Sequence, residues 1–273
     1  MWTADKASAR GEEAADSEAL QTLGAVGVVA LGVVHLLIGW LALQLAWSAA
    51  GSEEAAASGA FATLAEQPLG TVLLWVVTLG LVALVVWQLS EAAFGHHGAG
   101  DKRTLERVKS GAKAVAYGAL AVTAGRFAIG QGSSSGESQR SWTARLLDAP
   151  AGQILVGVIG LAVVALGGYL VYKGAKKKFL EQLQGQGASR VVVRLGQAGY
   201  IAKGIAYGLL GVLVVVAAVQ HDPEESGGLD TALQTLRAQP YGQWMLTAVA
   251  LGLVAYGVYC FARARAMRAD AKH

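Results

Sequence analysis

Long stretches without a single charged side chain dominate this chain. Asp, Glu, Lys and Arg are absent from the 34 residues between Glu18 and Glu53 and from the 24 between Glu66 and Glu91. They are absent again from the 24 between Asp148 and Lys173, the 18 between Lys203 and Asp222, and the 25 between Arg237 and Arg263. A bilayer core about 30 Å thick needs about 20 apolar residues in a helix, so each stretch predicts a transmembrane span. A sixth stretch, between Lys113 and Arg126, holds only 12 residues. Alone it reads as a buried soluble helix, but both bounding side chains are long enough to snorkel and restore the missing length. The predicted spans are Val26–Trp47, Thr71–Leu89, Ala112–Ile129, Gln153–Tyr172, Ile201–Val219 and Trp244–Phe261. The first is too long for the apolar region of a signal peptide, and acidic residues precede it where a signal peptide is basic.

Basic residues orient these spans, because Lys and Arg favour the cytoplasmic side. The loops between spans one and two, three and four, and five and six hold 3 of them, Arg140, Arg145 and Arg237. The termini and the loops after spans two and four hold 16, Arg263 and the run Lys173, Lys176, Lys177 and Lys178 among them. Both termini are therefore expected in the cytoplasm, in a cell membrane crossed several times. Composition agrees: charged residues are 15% of the 273 and the mean hydropathy is +0.44. A disordered chain needs low hydrophobicity and high charge, and is excluded. The lone Cys260 excludes an intrachain disulfide framework and a cysteine zinc site.

The pattern repeats. Pro68-Leu69-Gly70, Pro150-Ala151-Gly152 and Pro240-Tyr241-Gly242 are offset by 82 and 90 residues, and the same offsets carry His35 to Tyr117 to Tyr207. They also carry Trp87 to Tyr169 to Tyr259, and Gly39 to Ala121 to Gly211. The chain thus reads as three copies of one two-helix hairpin. The implied division is a polar cytoplasmic tail over 1–22, units over 23–92, 105–174 and 195–264, cytoplasmic linkers over 93–104 and 175–194, the second basic, and a cytoplasmic tail over 265–273. All three hairpins share one orientation, so an axis along the membrane normal relates them. The expected fold is an all-α, six-helix bundle with pseudo-threefold symmetry.

Two finer features follow. In the third outer loop Leu229, Leu233 and Leu236 form an apolar stripe, which predicts a short helix lying in the outer interface, with Pro240 opening the next span. Gly204 and Gly208, and Ala114 and Gly118, are each four apart, the spacing that lets helices pack closely in lipid.

The segments GQAGYIAKGIAYGLLG (196–211) and LDTALQTLRAQPYGQWMLTAVALGLVAYGVY (229–259) resemble the bacterial membrane-protein family known as domain of unknown function 1206. The resemblance covers about residues 23–265 and implies three tandem two-helix copies in a membrane. The second copy departs from the third, with Lys113 and Arg126 inside its span and Pro150-Ala151 for Pro-Tyr. The resemblance implies no activity and no catalytic residues.

Candidate chemistry is sparse. No spacing signals a catalytic triad, a phosphate loop or a metal site, and His96-His97 are adjacent in a Gly-rich loop. The expectation is a protein that is not an enzyme and needs no cofactor. His35 is an ionisable group well inside span one, hence a candidate site with the aligned Tyr117 and Tyr207. It reads either as an interhelical hydrogen bond or as a ligand or proton group. Arg126, aligned with Gln44, reads as a snorkelling cation or as an anion contact in the same intramembrane set. Lys113 and Lys203 are expected to snorkel to lipid phosphate. Lys173, Lys176, Lys177 and Lys178 form a patch for anionic headgroups, while nucleic acid would require base-reading residues that this patch lacks. The function that fits is a membrane scaffold or auxiliary subunit binding lipid or another membrane protein. A small-solute or ion pathway along the pseudo-threefold axis is the alternative.

Overall fold

The computed structural model describes residues 18–47, 55–93, 103–132, 135–183, 189–222 and 227–270; the tail before residue 18, His96, His97 and His273 lie outside them. The described residues form nine α-helices: α1 (Glu18–Trp47), α2 (Ala57–Ala65), α3 (Gly70–Ala93), α4 (Arg103–Ala128), α5 (Ser135–Leu147), α6 (Gly152–Ala175), α7 (Arg190–Gln220), α8 (Leu229–Arg237) and α9 (Gly242–Asp270). A 3-10 turn, Lys178–Leu183, follows α6. Five helices, α1, α3, α6, α7 and α9, are long and apolar enough to cross a membrane, which is compatible with a multi-pass membrane protein. The 26 residues of α4 would reach about 39 Å at 1.5 Å per residue, with charged residues toward both ends.

The long helices stand side by side in the order α4, α3, α1, α9, α7, α6. The first helix of each unit therefore lies against the second helix of another unit: α1 on α9, α7 on α6, α4 on α3. Within their own units α1 packs on α3 and α7 on α9, whereas among the described residues α4 and α6 do not pack along each other. This leaves α6 with a bare flank. Leu166 is 46% exposed, while the residues at the corresponding offsets, Leu84 and Tyr256, are 1% and 4% exposed. Tyr169 is 45% exposed where Tyr259 is fully buried.

Glycine sets the spacing of two seams. A methyl group added at Gly32 would stand 3.0 Å from the Gly257 carbonyl oxygen, and one at Gly204 would stand 2.6 Å from that of Gly167. Gly39 faces Ala250 and Val254 just as Gly211 faces Gly160 and Val164. The contacts of α1 with α9 are thus repeated by α7 with α6, in one register. In the α4–α3 seam Val85 stands at the offset of Gly167 and Gly257, and its branched side chain holds the helices further apart. A methyl group at Gly118 would reach only Val85, at 4.0 Å, and one at Gly208 would meet nothing within 4 Å. The four expected packing positions differ: Ala114 is buried, Gly204 is tightly packed, and Gly208 brings its backbone N and Cα close to Gly167 while its own side-chain position is open, but Gly118 has room.

The three corners between the two long helices of each unit share one construction. After the short helix the chain makes a turn closed by Gly70 N to Gln67 O (2.8 Å), Gly152 N to Ala149 O (2.9 Å) and Gly242 N to Gln239 O (2.7 Å). Proline fills the first central position, and Leu69, Ala151 or Tyr241 takes the second at φ of 66°, 61° and 61°. The prolines thus sit in the turn, and the next helix begins two residues later, not at the proline itself. The reason is steric: the chain reverses onto the short helix so tightly that a side chain at Gly70, Gly152 or Gly242 would strike the carbonyl oxygens of Leu64, Leu146 or Leu236 and Arg237. Gly242→Ala should therefore lower the melting midpoint in detergent, by the equivalent of about 1–3 kcal/mol. Tyr241→Gly, which relieves the left-handed backbone, should not lower it.

The stripe of α8 turns onto the bundle instead of lying toward lipid. Ala232, Leu233 and Leu236 are buried, with α7 and α9 beside them. Asp230 Oδ1 accepts a 2.7 Å hydrogen bond from Ala55 N, tying the loop within the third unit to that within the first. In the first loop, Phe61 of α2 is fully buried and its ring lies 6.2 Å from that of Phe127 on α4.

Candidate functional site

One group of polar and aromatic side chains lies between the middle of the long helices and the end of the bundle that carries the described termini. Tyr200, Lys203 and Tyr207 fall one and two turns apart along α7, and Tyr256, Tyr259, Cys260 and Arg263 share a stripe of α9. Both sets run at the three-to-four residue spacing that keeps side chains on one helix face. Gly199 lets α7 press against this stripe, since a methyl group there would stand 2.6 Å from Tyr256 Cα.

The aromatic part is a packed nest. Tyr200 meets Tyr256 edge-on at 5.3 Å between ring centres, and Tyr259 at 5.8 Å. Phe179, from the 3-10 turn, stacks on Tyr200 at 5.4 Å and meets Tyr259 edge-on at 5.4 Å. The Tyr259 hydroxyl donates to the Phe179 carbonyl at 3.3 Å. Phe179 is fully buried, so the linker after the second unit plugs the near end of the third.

Cations enter this nest. Lys203 Nζ lies 4.3 Å from the centre of the Tyr256 ring and 5.8 Å from that of Tyr207. Lys173 Nζ lies 4.8 Å over Tyr200. Contacts of this kind are worth about 0.5–1 kcal/mol at exposed sites and about 2 kcal/mol when desolvated. Arg263 is buried, on the same stripe of α9 as Tyr256 and Tyr259, and Tyr117 and Tyr200 are near enough to act on it. Two sequence expectations change here. Lys203 points inward over tyrosine rings instead of out to lipid, because α9 presents those rings to it. Arg263, counted with the cytoplasmic charges, is an interior residue.

The aligned set is brought together in part. His35 is buried, with Nδ1 donating to the Leu31 carbonyl at 2.8 Å and its ring 4.7 Å from that of Tyr256. Tyr117 and Tyr207 are half-buried, and the Tyr256 ring that meets His35 is the one under the Lys203 ammonium. Gln44 and Arg126 are exposed; Gln44 stands 9 residues beyond His35, about 13 Å along the helix. Neither joins the cluster. Of the basic patch, Lys176, Lys177 and Lys178 are exposed, while Lys173 belongs to the interior group. Tyr200, Tyr256, Arg263 and Phe179 were not singled out from the sequence. Their signal was the polar stripe on α9 and the apolar Phe179, Leu180 and Leu183 inside a basic linker. Neither is shared by all three units.

Among the described residues no group of three or more His, Cys, Asp or Glu is placed to hold a metal ion. The sequence profile of the family described as Domain of Unknown Function (DUF1206) matches three times, over residues 26–95, 108–177 and 198–266. “Uncharacterized protein YxxB” of Bacillus subtilis (strain 168) is 32% identical over 246 residues, which are 88% of this chain and 88% of that protein. No solved structure matches. With three matches in tandem that take in all six long helices, the chain belongs to the DUF1206 family and carries three copies of its domain.

Proposed function

We propose that this is an integral membrane protein in which all six long helices, α4 included, cross the cell membrane, with both termini cytoplasmic and the three units placed about a pseudo-threefold axis. The repeated register of the α1–α9 and α7–α6 seams supports the axis, and the distribution of basic residues, fourteen against three once the interior Lys173 and Arg263 are set aside, supports the orientation. In that setting its role is non-enzymatic: a scaffold or auxiliary subunit that binds another membrane protein and anionic lipid. Lys176, Lys177 and Lys178 are exposed and suited to anionic headgroups at the cytoplasmic face.

The observation that carries this reading is the environment of His35. A pathway along the axis would present this imidazole to water, yet its ring is buried against Tyr256 and its Nδ1 is bound to the backbone of its own helix. The test is His35→Tyr, which copies what Tyr117 and Tyr207 place in the other units. The variant should fold, at a cost no greater than the about 1–3 kcal/mol of an enlarged core side chain. Vesicles holding the wild-type protein should show no ion or solute flux above protein-free vesicles. A flux that His35→Tyr abolishes would establish the small-solute or ion pathway instead.

A further inference from the structure

We propose that Lys203, Arg263 and Lys173, with the hydroxyls of Tyr117 and Tyr207, form an intramembrane site for the phosphate headgroup of an anionic lipid, which enters sideways between α4 and α6. The inference rests on the membrane setting proposed above. It differs from surface attraction at the basic linker, because these cations face inward.

Charge is the first argument. Lys173 stands over Tyr200 and Lys203 over Tyr256, two rings whose centres are 5.3 Å apart, and Arg263 is buried two turns beyond Tyr256 on α9, so like charges gather here. Among the described residues, the groups that act on Lys203 are the Cys260 thiol and, as a like charge, Arg263. Cations gathered in a low-dielectric interior repel one another strongly, and an anion set among them reverses the sign of that interaction. Arginine and tyrosine hydroxyls supply the donors that phosphate oxygens need, and charge-assisted bonds of this type are the strong ones.

Access is the second argument. From the terminal end, Phe179 seals the nest beneath Tyr200 and Tyr259. The side is different, since among the described residues α4 and α6 do not pack along each other. Lys203, Tyr117 and Tyr207 keep partial exposure there, and Gly208, one residue beyond Tyr207, has open space where a side chain would stand. The bare flank of α6 carries Leu166, the offset equivalent of buried Leu84 and Tyr256, so apolar surface adjoins the cationic group. A ligand with a phosphate and an acyl chain matches both parts. A soluble phosphate would match only the first.

Native mass spectrometry of the full chain in detergent, titrated with phosphatidylglycerol, tests this. The wild type should retain one phosphatidylglycerol in preference to phosphatidylcholine. Lys203→Gln and Arg263→Gln should each weaken retention at least about tenfold, the effect of about 1.4 kcal/mol. Lys203→Arg should keep it, and so should joint substitution of Lys176, Lys177 and Lys178 by Gln. Should Lys203→Gln fail to fold, Lys173→Gln carries the same comparison. Equal retention by the Gln variants, or equal retention of phosphatidylcholine, would overturn the site. Displacement by millimolar glycerol 3-phosphate would overturn the lipid as its occupant. Membrane topology is read separately by cysteine labelling, so loss of this site and loss of the membrane setting are distinguishable.

Discussion

Gly204→Leu should strongly lower the melting midpoint of the detergent-solubilised protein, while Gly208→Leu should leave it nearly unchanged. The two glycines are four residues apart on α7 and look alike in sequence. In the structure a first side-chain carbon at Gly204 would stand 2.6 Å from the Gly167 carbonyl oxygen and 2.7 Å from Val171 N. Both are backbone atoms of α6, so no side-chain rotation relieves the clash and the helices must separate. Overpacking typically costs about 1–3 kcal/mol, and a collision with backbone belongs at the upper end. Gly208 occupies the offset that holds Leu36 in α1, and Leu36 lies over Gly257 within the α1–α9 seam. Leu at position 208 would therefore copy over Gly167 a contact the molecule already makes. Equal losses for both variants would show that the α7–α6 seam is not the counterpart of the α1–α9 seam.

Much of the architecture was legible in the sequence because, in the membrane setting proposed above, lipid would leave so few options. Backbone groups in a bilayer must be satisfied within their own segment, so a charge-free run of 24 residues can hardly be anything but a helix. The matched Pro-X-Gly triplets located the corners within the units for a similar reason, since only glycine fits where the chain folds back on the carbonyls of the short helix. Less legible was which glycine of a pair is packed. That depends on the residue opposite, and Val85 at the offset of Gly167 and Gly257 widens one seam without altering the small-residue pattern of α4 itself. The open flank of α6 was invisible as well, because Leu166 and Tyr169 are as apolar as residues buried at the same offsets.

The candidate site was half legible. His35, Tyr117 and Tyr207 were found because the repeat aligns them. Lys203 was misread because a long cation near a helix end ordinarily snorkels toward headgroups, and Arg263 because it was counted with the cytoplasmic basic residues. Here the tyrosines of α9 give Lys203 an inward partner, and Tyr117 of α4 gives one to Arg263, so tertiary contacts overrode the local rule. Gln44 and Arg126 were grouped with His35 by polarity alone, and the length of the helix separates them.

The central claim is that all six long helices cross the membrane, and its weakest member by composition is α4, with Lys113 and Arg126 inside its span. Single cysteines at the exposed positions Gln67, Ala149, Lys176 and Gln239, in a Cys260→Ala background, test it with a membrane-impermeant maleimide. With α4 crossing, the positions at Gln67, Ala149 and Gln239 should label in intact cells, and that at Lys176 only after permeabilisation. With α4 lying on the cytoplasmic side, every later segment inverts: Lys176 would label from outside, while Ala149 and Gln239 would be protected. The first pattern is the one expected, and the second would contradict the six-span bundle.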